Sequence, residues 1–173
     1  DYFEPNINEL NEVLTTNKIF IERSADVGVL PAEVGINFGV SGPSLRGSGV
    51  NWDLRKNEPY SVYKNFDFEI PIGRGEMGTV GDCWDRYYVR VQEMKESIKI
   101  IRQACKGLPA GDVHESLPKK IRPEKGEVYG RYESARGDVG FYIISNGKNI
   151  LLRVKMRSPA FSNLSVLSEI SEG

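Results

Sequence analysis

Four arginines lie in segments whose neighbours fix backbone shape: Arg46 in Gly-Pro-Ser-Leu-Arg-Gly-Ser-Gly, Arg55 in Trp-Asp-Leu-Arg-Lys, Arg136 in Glu-Ser-Ala-Arg-Gly-Asp, and Arg157 in Met-Arg-Ser-Pro-Ala-Phe. A guanidinium held in this way can orient a carboxylate or tune a nearby redox centre. It can equally tie two loops together, and residue type alone leaves both readings open. Glu133, three residues before Arg136, adds a carboxylate to the same turn.

Other motifs carry less. Gly73-Arg74-Gly75-Glu76-Met77-Gly78 matches G-x-G-x-x-G, but the helix that follows is expected only from Asp82, and Glu76 would face a pyrophosphate. Gly42 to Ser48 has the outer spacing of a phosphate loop without its lysine. The single histidine, His114, sits in a proline- and lysine-containing stretch, so no Ser-His-Asp or Cys-His set can be assembled. Cys83 and Cys105 fall in one expected helix, about 33 Å apart at 1.5 Å per residue, too far to bridge. They are expected to be small buried hydrophobes, and no metal-ligand spacing is present.

The elements that must position these residues follow from periodicity. Phe3, Ile7, Leu10, Val13 and Leu14 predict a helix ending near Thr16, and Ile19-Phe20-Ile21 opens an irregular stretch. Pro31 and Gly39 bracket a short helix over 31–38. Residues 39–81 read as glycine- and proline-rich loop with one alternating run, 66–70, as a short strand. Asp82 caps the strongest helix, which runs to Lys106 before Gly107 and carries the stripe Trp84, Tyr87, Tyr88, Val91, Met94, Ile98, Ile101 and Cys105. Beside it, Asp82, Arg86, Arg90 and Glu93 form a charged strip, either a solvated face with local pairs or a surface that docks a partner protein.

After a linker at 117–125 the period changes to two. Strands are expected at 127–132, 139–145 and 150–157, with Asn146-Gly147 as a tight hairpin turn, and Ser158-Pro159 opens a last helix bearing Phe161, Leu164, Leu167 and Ile170. The fold class is α+β: a helical part over 1–116 with its glycine-rich loop and long central helix, then a small antiparallel sheet and the start of a helix over 117–173.

Composition sets the outer bounds. The 173 residues carry 23 Lys plus Arg against 24 Asp plus Glu, so a basic nucleic-acid footprint is absent from the totals. Mean hydropathy is −0.39, and no uncharged stretch approaches the roughly 18–20 residues of a membrane span. The chain opens at Asp1 without a methionine and inside a helical pattern, and the expectation is a piece of a larger protein.

The arginine-centred segments also carry a resemblance. Residues 39–56 (Gly-Val-Ser-Gly-Pro-Ser-Leu-Arg-Gly-Ser-Gly-Val-Asn-Trp-Asp-Leu-Arg-Lys), 81–87 (Gly-Asp-Cys-Trp-Asp-Arg-Tyr), 126–129 (Gly-Glu-Val-Tyr), 133–137 (Glu-Ser-Ala-Arg-Gly) and 157–164 (Arg-Ser-Pro-Ala-Phe-Ser-Asn-Leu) occur in order. Together they resemble the D-subunit family of bacterial NADH:quinone oxidoreductase, the large quinone-site subunits of respiratory complex I. The resemblance implies part of a nickel–iron hydrogenase large-subunit-like fold. It implies a peripheral-arm subunit on the cytoplasmic side of the membrane that helps build the quinone-reduction chamber, next to an iron–sulfur cluster held by a neighbouring subunit. No cofactor, cluster or metal would be bound by this chain. Its partners would be other complex I subunits, including the iron–sulfur subunit, and quinone.

The family's turn near that cluster matches Glu133 to Gly137. Arg136 is therefore the candidate tuner, with Glu133, Arg157 and Arg46 as further chamber candidates; Asp82, Arg86, Arg90 and Glu93 are the docking candidates. The family's quinone-holding histidine and tyrosine match nothing in this sequence, so no catalytic residue is expected here and the segment alone should not reduce quinone. The 109–125 linker stands where many members have a longer insert with a histidine pair. Two other readings stay open: a membrane-bound hydrogenase-type large subunit, which would hold nickel through C-x-x-C pairs, and a non-catalytic assembly scaffold. Faces made for partner proteins would make the isolated chain self-associate.

Overall fold

Phe3–Leu10 forms α1, whose last turn widens into a π-helical stretch over Asn11–Thr15. Lys18–Ser24 (α2) is helical where periodicity predicts an irregular run: the Asn17 side chain accepts the amides of Ile19 and Phe20, an N-cap that starts a new helix at once. Ala32–Asn37 (α3) follows Pro31, and Gly39 leaves it at φ 68°. Two short helices interrupt the glycine-rich segment, Pro43–Gly47 (α4) and Leu54–Asn57 (α5), the second capped by Asp53. The computed structural model describes residues 2–171.

The alternating run at 66–70 is not a strand. Its backbone is extended along the following helix and bonds side chains there: the Asp67 amide donates to Gln103 Oε1 at 2.8 Å and the Glu69 amide to Glu96 Oε2 at 2.9 Å. That helix, Cys83–Lys106 (α6), has 24 residues, begins at the Asp82 cap and ends at Gly107. Trp84, Asp85, Val89 and Val91 are buried, and Trp84 stacks on Tyr88 with ring centroids 4.7 Å apart. Its apolar stripe outruns the body, so Ile101 is 60% exposed. Neither cysteine is the buried hydrophobe expected, Cys83 being half-buried and Cys105 exposed.

Residues 107–125 carry no helix or strand. Gly126–Ser134 (β1), Gly137–Ser145 (β2) and Arg153–Arg157 (β3) make one antiparallel sheet in the order β1-β2-β3. The tight hairpin lies at Ala135-Arg136, between Ser134 and its partner Gly137. Asn146-Gly147 instead opens a longer connection, since Ile144 pairs with Arg153. The register gives the sheet two unlike faces. One presents Val128, Ile143 and Val154 in one row and Gly130, Phe141 and Met156 in the next; the other presents Glu127, Ile144 and Arg153, then Tyr129, Tyr142 and Lys155, then Arg131, Gly140 and Arg157, with Glu133 and Asp138 at the hairpin end.

The last helix is two, Pro159–Leu164 (α7) and Leu167–Ile170 (α8). The break between them places Val166 in the apolar cluster of Leu30, Val40 and Leu45, with Ile170 packed against it. Phe161 and Leu164, expected on a buried stripe, are 80% and 61% exposed.

Candidate functional site: a buried arginine network behind an exposed arginine turn

Pro43 at the start of α4 and Gly47 at its end let this five-residue helix lie across α6; a Cβ on Gly47 would stand 3.1 Å from the Arg86 Cα. The helix drives Arg46 into the interior, where only 1% of the side chain is exposed. Burying a guanidinium requires compensation on every side. Its Nε donates to Glu93 Oε1 at 2.6 Å, and its Nη1 to Glu133 Oε1 at 2.9 Å and to the Trp52 carbonyl at 3.0 Å. Asp53, fully buried, lies 3.4 Å from Nη1 and accepts the forked guanidinium of Arg55, at 2.9 Å from Nε and 2.6 Å from Nη2. Four segments meet there: α4, α5 with its cap, α6 and the end of β1.

Three carboxylates face two guanidiniums in this network, and one negative charge is in surplus. It settles on Glu133. Burial raises the Glu133 pKa above the ordinary carboxylate value, Asp53 adds to the rise, and Arg46 offsets only part of it. Burial alone would lower the Arg46 pKa, but Glu93, Glu133 and Asp53 outweigh it and the guanidinium stays charged. The second Glu133 oxygen accepts the Leu54 amide at 3.3 Å, and the Tyr60 hydroxyl, itself raised in pKa by burial, accepts the Glu133 amide at 3.1 Å. A cleft of about 460 Å³ opens over this network, edged by Arg90, Tyr63, Met94, Ser134 and Ala135.

Arg136, at the tip of the turn, points the other way. It is exposed and has no carboxylate partner among the described residues, while its backbone is clamped: Asn163 donates to its carbonyl at 3.1 Å and Ser134 Oγ accepts its amide. Beneath it, Gly42 and Gly137 meet backbone to backbone, and a Cβ on Gly42 would lie 2.5 Å from the Gly137 Cα. Ser41 Oγ accepts the Asp138 amide at 3.1 Å. Arg157 completes the clamp, donating to the Asp138 carbonyl and, at 2.8 Å, to the Gly39 carbonyl. Arg46, Glu133 and Arg157 thus work from inside to hold the turn, and Arg136 is the cation it presents.

The charged strip on α6 is tied into the chain as well. Asp82 accepts the amides of Asp85 and Asp26, Arg86 donates to the carbonyls of Gly81 and Gly28 and to Cys83 Sγ, and Glu93 holds Arg46. Arg90, the exposed member, donates to Ser44 Oγ at 3.0 Å. The residues that sequence reasoning missed are Asp53, Asn163 and Asp85. Asp85 explains the G-x-G-x-x-G match: its Oδ2 accepts the amides of Gly75 at 2.9 Å and Gly81 at 3.2 Å, so the chain's own carboxylate fills the anion cradle of that loop. Asp82 and Asp85, three apart at a helix start after glycines, are the visible signal.

Among the described residues no cluster of three His, Cys, Asp or Glu could hold a metal ion, and no helix is long and apolar enough to cross a membrane. A protein-family model described as the respiratory-chain NADH dehydrogenase 49 kDa subunit matches residues 1–125 and 113–173. Similar proteins include the NADH-quinone oxidoreductase D subunit of Chlorobaculum tepidum, 51% identical over 99% of this chain, and that of Chlorobium luteolum, 49% identical over its full length. A D subunit of Anaeromyxobacter dehalogenans is 46% identical over the full length. The chain spans 44%, 45% and 46% of these three relatives, less than half of each. All are named as NADH dehydrogenase proteins, which favours that reading over the hydrogenase one.

Proposed function

The chain belongs to the family of the respiratory-chain NADH dehydrogenase 49 kDa subunit, and on that premise we propose that it forms part of the quinone-reduction chamber of an NADH:quinone oxidoreductase. In this reading the chain binds no cofactor of its own. Its partners are other peripheral-arm subunits of complex I, among them the one that carries the terminal iron–sulfur cluster, and the assembly sits on the cytoplasmic side of the membrane. The larger architecture is that of a nickel–iron hydrogenase large subunit, of which these helices and three strands are a portion.

The observation that carries the proposal is the opposition of Glu133 and Arg136 across one hairpin turn, a buried anion in a saturated network and an exposed cation without a counterion among the described residues. A fixed cation beside a redox centre favours the state with the extra electron, and a rigid clamp keeps its distance constant. Arg46, Glu133 and Arg157 are positioning residues, and Arg136 is the group that faces outward. The strip of Asp82, Arg86, Arg90 and Glu93 contributes to docking by shaping the α4–α6 surface, with Arg90 as its contact.

The test is Arg136→Ala in the assembled complex. The midpoint potential of the neighbouring cluster is expected to fall and quinone reductase turnover to drop, with Arg136→Lys in between. Unchanged potential and turnover in an intact complex would overturn the assignment.

A further inference from the structure

The edge of the sheet at β3 carries a pattern that the chamber reading does not use. Because the order is β1-β2-β3, β3 has a neighbour on one side only, and alternate N–H and C=O groups along its outer side lack a ladder partner. Its side chains alternate strictly. Val154 and Met156 extend the uncharged rows that begin at Val128 and Gly130, and Arg153, Lys155 and Arg157 stand on the opposite face. Arg157 is occupied by Asp138 and Gly39, whereas Arg153 and Lys155 are exposed and have no carboxylate partner among the described residues. Beside them Tyr129 and Tyr142 floor a hollow of about 510 Å³. Gly140 makes room for that floor, since a Cβ there would lie 2.6 Å from the Tyr129 hydroxyl. The acid of that face, Glu127, is bonded to the Tyr142 hydroxyl.

We propose that the β3 edge takes up an extended protein segment in which acidic and apolar residues alternate, adding it to the sheet as a fourth strand. The period of two makes this partner specific: residues on one side of the added strand lie over Arg153 and Lys155, and those on the other continue the rows of Val154 and Met156. Opposite charges across neighbouring strands set register, and the free backbone groups of the edge provide affinity that depends little on side chains. The opposite edge offers no such pattern, because β1 alternates Glu127, Tyr129, Arg131 and Glu133, with Arg131 already held by Glu58. The competing explanation is that the cations only protect an edge strand from aggregation.

Binding of a short blocked peptide of alternating glutamate and valine to the 173-residue chain, followed by fluorescence anisotropy, separates the two. Saturable binding is expected, weakened at least about tenfold by the Arg153→Glu/Lys155→Glu double variant, which should then prefer the lysine–valine peptide. N-methylating the peptide amides that face β3 should abolish binding, and N-methylating the alternate set should not. These peptide changes leave the protein untouched, so they decide the matter even if the double variant misfolds. The proposal is overturned if no peptide binds, if a block of glutamates followed by a block of valines binds as well as the alternating sequence, or if both methylation patterns act alike. It is equally overturned if anionic phospholipid vesicles bind more tightly than the peptide and lose binding in the same double variant.

Discussion

Arg46 illustrates how one buried cation can organise a site without touching a substrate. Three carboxylates depend on it, so removing it leaves Asp53, Glu93 and Glu133 facing one another around a single Arg55. Arg46→Met is expected to destabilise the chain by about 3–5 kcal/mol, read as a lower denaturant midpoint, with a smaller loss for Arg46→Lys because an ammonium cannot fork. Glu133 sets a pH dependence of defined sign. Its folded pKa is raised above the 4.5 of an ordinary glutamate, so the folded state binds more proton than the unfolded one between those values. Stability should therefore fall as pH rises through that window, and Glu133→Gln should flatten this part of a melting-temperature profile. A steeper fall in the variant would contradict the burial-driven shift. None of this pairing is legible from residue spacing. Arg46, Glu93 and Glu133 stand out one by one, as glycine-flanked or helix-borne charges, but their meeting depends on three elements far apart in sequence.

At the level of elements the clamp under the Ala135-Arg136 turn is the decisive contact. Gly42 has φ 68° and abuts the Gly137 backbone, so Gly42→Ala combines left-handed strain with a clash that no rotamer relieves. The expected cost is about 2–5 kcal/mol, with faster amide exchange along β1 and β2 as the hairpin detaches from the 39–42 loop. Unaltered exchange there would mean that Asn163 and Arg157 hold the turn unaided. The helices and strands with strong local signals are readable: Asp82 and Gly107 bracket α6, and β2 and β3 show their alternation. Local sequence places the tight turn at Asn146-Gly147, the stronger motif, and misses its true position because Ala135 and Arg136 are ordinary residues whose conformation is held by Asn163, Ser41 and Gly42 from other parts of the chain. The 66–70 run fails similarly, since alternation marks an extended backbone without saying whether its partner is a strand or the side chains of a helix.

For the molecule as a whole, the uncharged sheet face and the 80% exposed Phe161 are the features that composition conceals. A balanced count of acids and bases describes the total surface, not its division into a charged and an apolar side. The isolated chain is expected to self-associate with rising concentration in sedimentation velocity, and Val154→Thr with Met156→Gln should reduce that association without changing the fold. A monomer at all concentrations would show that the face is covered within the chain. The backbone contact of Gly42 with Gly137 has a consequence for how this sequence can drift. At most core positions a larger residue can be accommodated by shrinking its neighbour, so the two sites trade volume over successive substitutions. Here neither partner has a side chain to give up. A change at one position has no compensating change at the other, and the pair is expected to behave as a mutational dead end: tolerant of substitution nowhere along its own contact, however freely the loops on either side diverge.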